Sequence, residues 1–268
     1  MDSDVLIVEK RGDVDWVTMN RPDSLNALNG DLIEALASYF EQRYRDHATR
    51  IVVLTGAGRG YCSGADLGGG SLVGAANDAG RIQIAMRTQR RIGDIYRAMR
   101  RCPQPIISLV NGAAAGGGFA LVLASDIRIA RPRAKMNAAF IRIGLTACDM
   151  GSSYFLPRLV GSAVASDLLL TGRFIEAEEA LTVGLVNRVV DETQLESAAQ
   201  DYIDQMLATS PIGLRMTKEA LDHAIDAQSL DAAMALEDRQ QILTLQTADH
   251  VEAISAFIEK RAPKFEDR

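Results

Sequence analysis

Two glycine-rich segments carry the residue types from which main-chain chemistry can be built. The first is Gly60-Tyr61-Cys62-Ser63-Gly64-Ala65-Asp66-Leu67 and the second is Asn111-Gly112-Ala113-Ala114-Ala115-Gly116-Gly117-Gly118. Glycine allows backbone to approach a ligand closely. In the second segment the glycines also open a helix, whose first N–H groups have no internal partner and whose dipole favours negative charge. Two such turns side by side would aim two N–H groups at one oxygen, forming an oxyanion hole. Losing one donor from such a hole costs roughly 3–4 kcal/mol of barrier. Gly116–Gly118 would equally permit tight packing of a helix on a sheet, and the residues alone leave both readings open.

Other chemistries are poorly served. Gly56-Ala-Gly-Arg-Gly60-Tyr61 approaches the dinucleotide fingerprint, but its third glycine is misplaced by one residue and loop-like Cys62-Ser-Gly-Ala-Asp-Leu-Gly-Gly-Gly70 follows. There is no Gly-Lys-Ser/Thr and no Gly-x-Ser-x-Gly. Cys62, Cys102 and Cys148 lie 40 and 46 residues apart, which is neither a disulfide framework nor a zinc pattern. His47, His223 and His250 are as scattered. No metal site and a reducing, cytoplasmic compartment are therefore expected. A net charge of −6 argues against nucleic acid, so the seven arginines within 81–101 read as a solvated helix face. The longest apolar stretch, 112–124, is shorter than the ~20 residues of a membrane span. Met1-Asp-Ser-Asp4 lacks the positive start of a secretory signal.

The elements that must position the turns follow from hydrophobic patterning. Residues 5–8 and 16–19 predict a hairpin around Arg11-Gly12-Asp13. Helices are predicted over 31–45, 81–101 and 116–124, and buried strands over 51–55, 105–110 and 126–130. Both glycine-rich turns thus follow C-terminal ends of presumed parallel strands, where open α/β sheets place ligands. Beyond Val190 only helices are predicted, over 191–208, 211–225, 230–245 and 249–261. The expected organisation is an α/β core over 1–200 and a helical region over 201–268. The latter is too thin to bury its own apolar faces and is expected to pack on another subunit.

Asn20-Arg-Pro-Asp-Ser-Leu-Asn-Ala-Leu28, Val53-Leu-Thr-Gly56, the two glycine-rich turns and Ser125-Asp-Ile-Arg-Ile-Ala130 occur in one order. Leu169-Leu-Thr-Gly-Arg173, Gly184-Leu-Val-Asn187 and Ala256-Phe-Ile-Glu-Lys-Arg261 continue it. Together they resemble the enoyl-CoA hydratase/isomerase (crotonase) superfamily over essentially the whole chain. The resemblance implies an α/β fold, a crotonase-type spiral of β-β-α units, with C-terminal helices assembling trimers or hexamers. It implies that the N–H groups of Ala65 and Gly117 hold a thioester carbonyl as it becomes an enolate. Ser24, Leu25, Ser63, Asp66 and Leu67 would surround coenzyme A. Phe257 and Lys260 would reach the coenzyme A of this or a neighbouring subunit. Coenzyme A enters as part of the substrate, and no cofactor is permanently bound.

Hydratases of the superfamily use two glutamates. At the corresponding positions this chain has Ala120 and either Phe140 or Ile141, none able to transfer a proton. Asp149 resembles an aspartate that moves protons or activates water in the dienoyl-CoA isomerase branch and in some carbon–carbon hydrolases. It also precedes a helix predicted over 150–159, where aspartate is a good N-cap. Isomerisation of an enoyl-CoA is expected over hydration, because one carboxylate can remove a proton and return it elsewhere. Thioester hydrolysis or decarboxylation, and acyl-CoA binding without catalysis, are the alternatives.

Overall fold

The computed structural model describes residues 4–68 and 80–268. Gly69 and Gly70, part of the expected loop, and Met1–Ser3 lie outside the described residues.

A hairpin starts the principal sheet: β1 (Leu6–Arg11) pairs antiparallel with β2 (Val14–Met19). After α1 (Gly30–Arg43), β3 (Ile51–Gly56) joins β2 in parallel. The long α2 (Arg81–Arg101) leads to β4 (Ile106–Val110), parallel to β3. The short β5 (Ala114–Ala115) and α3 (Gly117–Ala124) precede β6 (Ile127–Ala130), which is parallel to β4. After β7 (Lys135–Asn137), α4 (Ser152–Thr171), β8 (Ile175–Glu176) and α5 (Ala177–Thr182), β9 (Arg188–Val189) completes the order β1-β2-β3-β4-β6-β9. β5, β7 and β8 form a second, three-stranded sheet.

The central strands look uniformly apolar in sequence because both faces are covered. Val17, Met19, Val52, Leu54, Ile106 and Val110 face one core, shared with Leu36 and Phe40 of α1, Ile95 and Met99 of α2, and Phe119 of α3. The alternate residues Val14, Trp16, Ile51, Val53, Ile107 and Leu109 face a second core. It is closed by Leu195, Ala198, Ala199 and Ile203 of α6 (Leu195–Leu207). Residue 200, the expected division of the chain, therefore falls inside a helix that covers the sheet.

α3 is apolar all round and wholly buried, as such a helix must be. Among the described residues, three of the seven arginines of α2 pair with acids: Arg91 with Glu34 and Glu41, Arg97 with Asp94, and Arg100 with Asp126 and Asp222. α7 (Pro211–Ala224), α8 (Leu230–Leu245) and α9 (Ala248–Glu259) follow. The buried Lys218 of α7 reaches Asp126 at 2.7 Å and the Gln104 carbonyl at 2.9 Å, fastening this region to the segments that lead into β6 and β4. None of the described helices is long and apolar enough to cross a membrane.

The helix predicted over 150–159 is displaced and extended. α4 starts at Ser152, contains Pro157, and is interrupted at Gly161, whose φ of 77° and ψ of 163° are not helical. Its N-cap is Gly151, with no side-chain cap, because Met150 and Gly151 take φ of 50° and 83° before the helix begins. Asp149 is thus not the cap that its place in the sequence predicts.

Candidate active site

Two buried asparagines hold the first glycine-rich turn in place. Asn26 Nδ2 donates toward the carbonyls of Ala57 (2.9 Å), Gly60 (2.9 Å) and Tyr61 (3.2 Å), while its Oδ1 accepts from Arg21 N–H at 2.8 Å. Asn111 Nδ2, at the end of β4, reaches the carbonyls of Gly56 (2.7 Å) and Gly58 (3.0 Å). Buried carbonyls without such donors would be costly, so this pair determines where the chain goes after β3.

The two turns then meet through main chain. Isolated parallel bridges pair Leu28 with Ala65 and Cys62 with Ala114. Leu28 N–H donates to Gly64 O (2.7 Å), Asp66 N–H to Leu28 O (3.1 Å) and Ala115 N–H to Cys62 O (2.9 Å). Gly64 has φ +88°, and a Cβ there would lie 2.7 Å from Ala115 O and 3.5 Å from Gly117 N. A Cβ on Gly118 would lie 2.0 Å from Cys62 O. Only glycine permits this approach. The N–H groups of Ala65 and Gly117 have no hydrogen-bond acceptor among the described residues. One lies on a parallel-bridge residue and the other in the first turn of α3, where donors are left over.

The side chains around this junction are mostly apolar. A Cβ on Gly117 would lie 2.7 Å from Leu28 Cδ1, 3.1 Å from Met150 Sδ and 3.1 Å from Tyr96 Oη. Tyr96 Oη donates to Gly117 O at 2.9 Å and lies 3.1 Å from Met150 Sδ. Burial pushes the Tyr96 phenol well above its usual pKa, and nearby Cys62 and Asp149 add to the rise, so the hydroxyl keeps its proton. Ala120 is buried within α3, its N–H bonded to Gly116 O at 3.0 Å. The Phe140 ring packs beside Gly116, 3.4 Å from where a Cβ would stand, whereas Ile141 is exposed.

Asp149 is half-buried next to Met150. Its Oδ1 accepts from Met150 N–H at 2.7 Å and from Gln89 Nε2 of α2 at 2.6 Å. One carboxylate oxygen is thus held twice.

Ser24, Leu25, Ser63, Asp66 and Leu67 are brought together. Ser63 N–H donates to Leu25 O (3.0 Å) and Ser63 Oγ to Ser24 O (3.2 Å). Asp66 pairs with Arg21 at 2.8 Å, and Leu67 is exposed. Phe257 and Lys260 sit apart at the end of α9, where Phe257 is 84% exposed and Lys260 is the left-handed C-cap. Among the described residues no hydrogen bond or ion pair joins them to the Ser24–Leu67 cluster. No group of three or more His, Cys, Asp or Glu placed to hold a metal occurs among the described residues. Sequence reasoning missed Arg21, Asn26, Gln89, Tyr96 and Asn111. Only Asn111 carried a signal, an amide immediately before a glycine-rich turn.

A spiral α/β fold with a main-chain donor pair at its strand ends defines a class, and comparison with known proteins gives it a family. The enoyl-CoA hydratase/isomerase model matches residues 9–268, and the chain belongs to that family. It is 41% identical to the probable enoyl-CoA hydratase EchA12 of Mycobacterium tuberculosis over 98% of this chain and 93% of that protein. It is 39% identical to the 1,2-epoxyphenylacetyl-CoA isomerase of Escherichia coli over 93% of each. Among solved structures, the enoyl-CoA hydratase of Bacillus anthracis superposes with a TM-score of 0.91 at 32% identity, covering 98% of this chain and all of that one. The protein is therefore an enzyme of enoyl-CoA hydratase or isomerase type, with the expected crotonase fold.

Proposed function

We propose that the protein moves the double bond of an enoyl-CoA thioester, with coenzyme A entering as part of the substrate. The observation that carries this reading is the junction of Gly64–Ala65 with Gly116–Gly117. Two main-chain N–H groups without acceptors lie on touching turns there, near the half-buried carboxylate Asp149. In the proposed sequence Ala65 and Gly117 hold the thioester oxygen. Asp149 removes a proton from C2 of a 3-enoyl-CoA, and the electron pair spreads into a dienolate whose oxygen charge the two N–H groups stabilise. The protonated Asp149 then returns the proton to C4, leaving the 2-enoyl-CoA. Hydration would require a second group to activate water. Ala120 and either Phe140 or Ile141, at the positions that resemble those of the family's two glutamates, supply none.

Ser24, Leu25, Ser63, Asp66 and Leu67 are proposed to line the coenzyme A path. Phe257 and Lys260 are proposed to act on it across a subunit boundary, since their own chain leaves them apart from that cluster. The C-terminal helices over 201–268 are proposed to form a homotrimer or homohexamer, supported by exposed Leu230, Val251, Phe257 and Ile258.

The test is incubation of the protein with 3-enoyl- and 2-enoyl-CoA esters of several chain lengths, followed by NMR. Interconversion of the two, lost in Asp149→Asn with ester affinity retained, is the expected result. Formation of a 3-hydroxyacyl-CoA would assign hydration instead, release of free coenzyme A would assign hydrolysis, and binding without any change would leave an acyl-CoA-binding protein.

A further inference from the structure

We propose that Gln89 is a positioning residue that aims the carboxylate of Asp149, and that α2 spaces this carboxylate from the oxyanion donors. The inference rests on the proposed proton-transfer role of Asp149.

Asp149 lies in an irregular segment. Met150 and Gly151 both have positive φ, and α4 begins only at Ser152, so no helix fixes the aspartate's backbone. Its side chain is held by one donor from the segment itself and one from α2. Gln89 Nε2 and Met150 N–H converge on the same oxygen, Oδ1, at 2.6 and 2.7 Å. Two donors on one oxygen stop rotation of the carboxylate and leave Oδ2 as the oxygen free of these two bonds, available for a substrate proton.

Gln89 and Tyr96 stand seven residues apart on α2, two helical turns, and therefore on one face of the helix. Gln89 grips Asp149, and Tyr96 grips Gly117 O on the helix that supplies the second donor. Their separation along the axis, about 10 Å, is set by helix geometry. The buried lower half of α2, with Ile92, Ile95 and Met99 in the core, anchors both contacts to the sheet. Neutral glutamine suits this task. A lysine or arginine would add a charge beside the base, and a carboxylate would repel it. Nothing in the sequence joins Gln89 to Asp149, which lie 60 residues apart.

The experiment uses the enoyl-CoA ester that the full-length protein converts fastest. Gln89→Met keeps the side chain's length and removes its donor. It is expected to lower kcat about tenfold to a hundredfold, the worth of a hydrogen bond to a charged group, with little change in KM or melting temperature. Gln89→His, assayed above the imidazole's usual pKa so that it is neutral, keeps an uncharged N–H donor and should recover part of kcat, which a merely structural role for Gln89 does not predict. Added to Asp149→Asn, Gln89→Met should leave the residual turnover, followed over long incubation, unchanged. Wild-type kcat in Gln89→Met would overturn the proposal while leaving Asp149 as the base. So would an equal further loss in the Asp149→Asn background. Wild-type turnover in Asp149→Asn alone would instead remove the underlying reading, and no conversion of any ester would overturn both.

Discussion

Gly64→Ala is the sharpest test of the two-turn geometry. The residue has φ +88°, and its new Cβ would stand 2.7 Å from Ala115 O. Close C···O contacts run to roughly 3.3 Å, so the turns must separate by about 0.6 Å. Left-handed backbone costs an alanine about 1–2 kcal/mol, and overpacking of a tight site adds about 1–3 kcal/mol. The expected loss of stability is therefore about 2–5 kcal/mol, read from urea denaturation. The same displacement moves Ala65 away from Gly117, whose nitrogen lies only 3.5 Å from the new methyl. If one donor leaves the carbonyl, kcat falls by ~10²–10³ under conditions where the variant remains folded. Gly12→Ala is the control. It has φ +60° in the β1–β2 turn but no atom within 4 Å of its Cβ position. It should lose only the backbone share of stability and keep full turnover. Wild-type stability and turnover in Gly64→Ala would refute the reasoning, as would an equal loss of turnover in Gly12→Ala.

Further outcomes follow from other parts of the molecule. Coenzyme A thioesters should bind while the corresponding free enoic acids do not, and equal affinities by calorimetry would contradict the proposed Ser24–Leu67 path. Light scattering should give a mass three or six times 29.0 kDa, because α8 buries no residue and α9 leaves Phe257 exposed; a monomer mass at micromolar concentration would oppose assembly. Of the three thiols, only Cys148 is exposed, while burial pushes those of Cys62 and Cys102 up to about 12 and about 11. A chromogenic disulfide in mildly alkaline buffer should therefore titrate one thiol quickly in the native protein and all three after denaturation. A second fast native thiol would mean that the junction around Cys62 opens.

The long elements were legible because their patterns are long. The strand runs 51–55 and 105–110 and the helix 81–101 emerge nearly where periodicity placed them, as do the C-terminal helices. The second sheet was not legible. Its strands of two or three residues are too short to show any alternation, and they exist only because main chain from distant segments meets there. The cap role, one of two readings left open for Asp149, fails for a related reason: its neighbour Met150 adopts a left-handed conformation uncommon outside glycine, and this delays the helix. Glycine spacing marked the two turns and Asn111 stands immediately before one of them, but the role of Asn26 is recognisable only once the carbonyls it serves are in view. The contact of Gln89 with Asp149 is likewise a product of tertiary packing.

The bridging of Leu28 to Ala65 and of Cys62 to Ala114 has a consequence for how this chain tolerates change. The proposed donors are peptide N–H groups, and every residue except proline carries one. At Ala65, half-buried, many side chains would keep the group intact. The irreplaceable positions are neighbours that donate nothing to substrate: Gly64, whose missing methyl lets the turns touch, and Gly118, where any side chain would run into Cys62 O. A library of point variants scored for turnover would thus give a displaced footprint, permissive at Ala65 and intolerant one residue to its side. Reading such a map by the usual equation of intolerance with contact would assign the chemistry to residues that never meet the substrate.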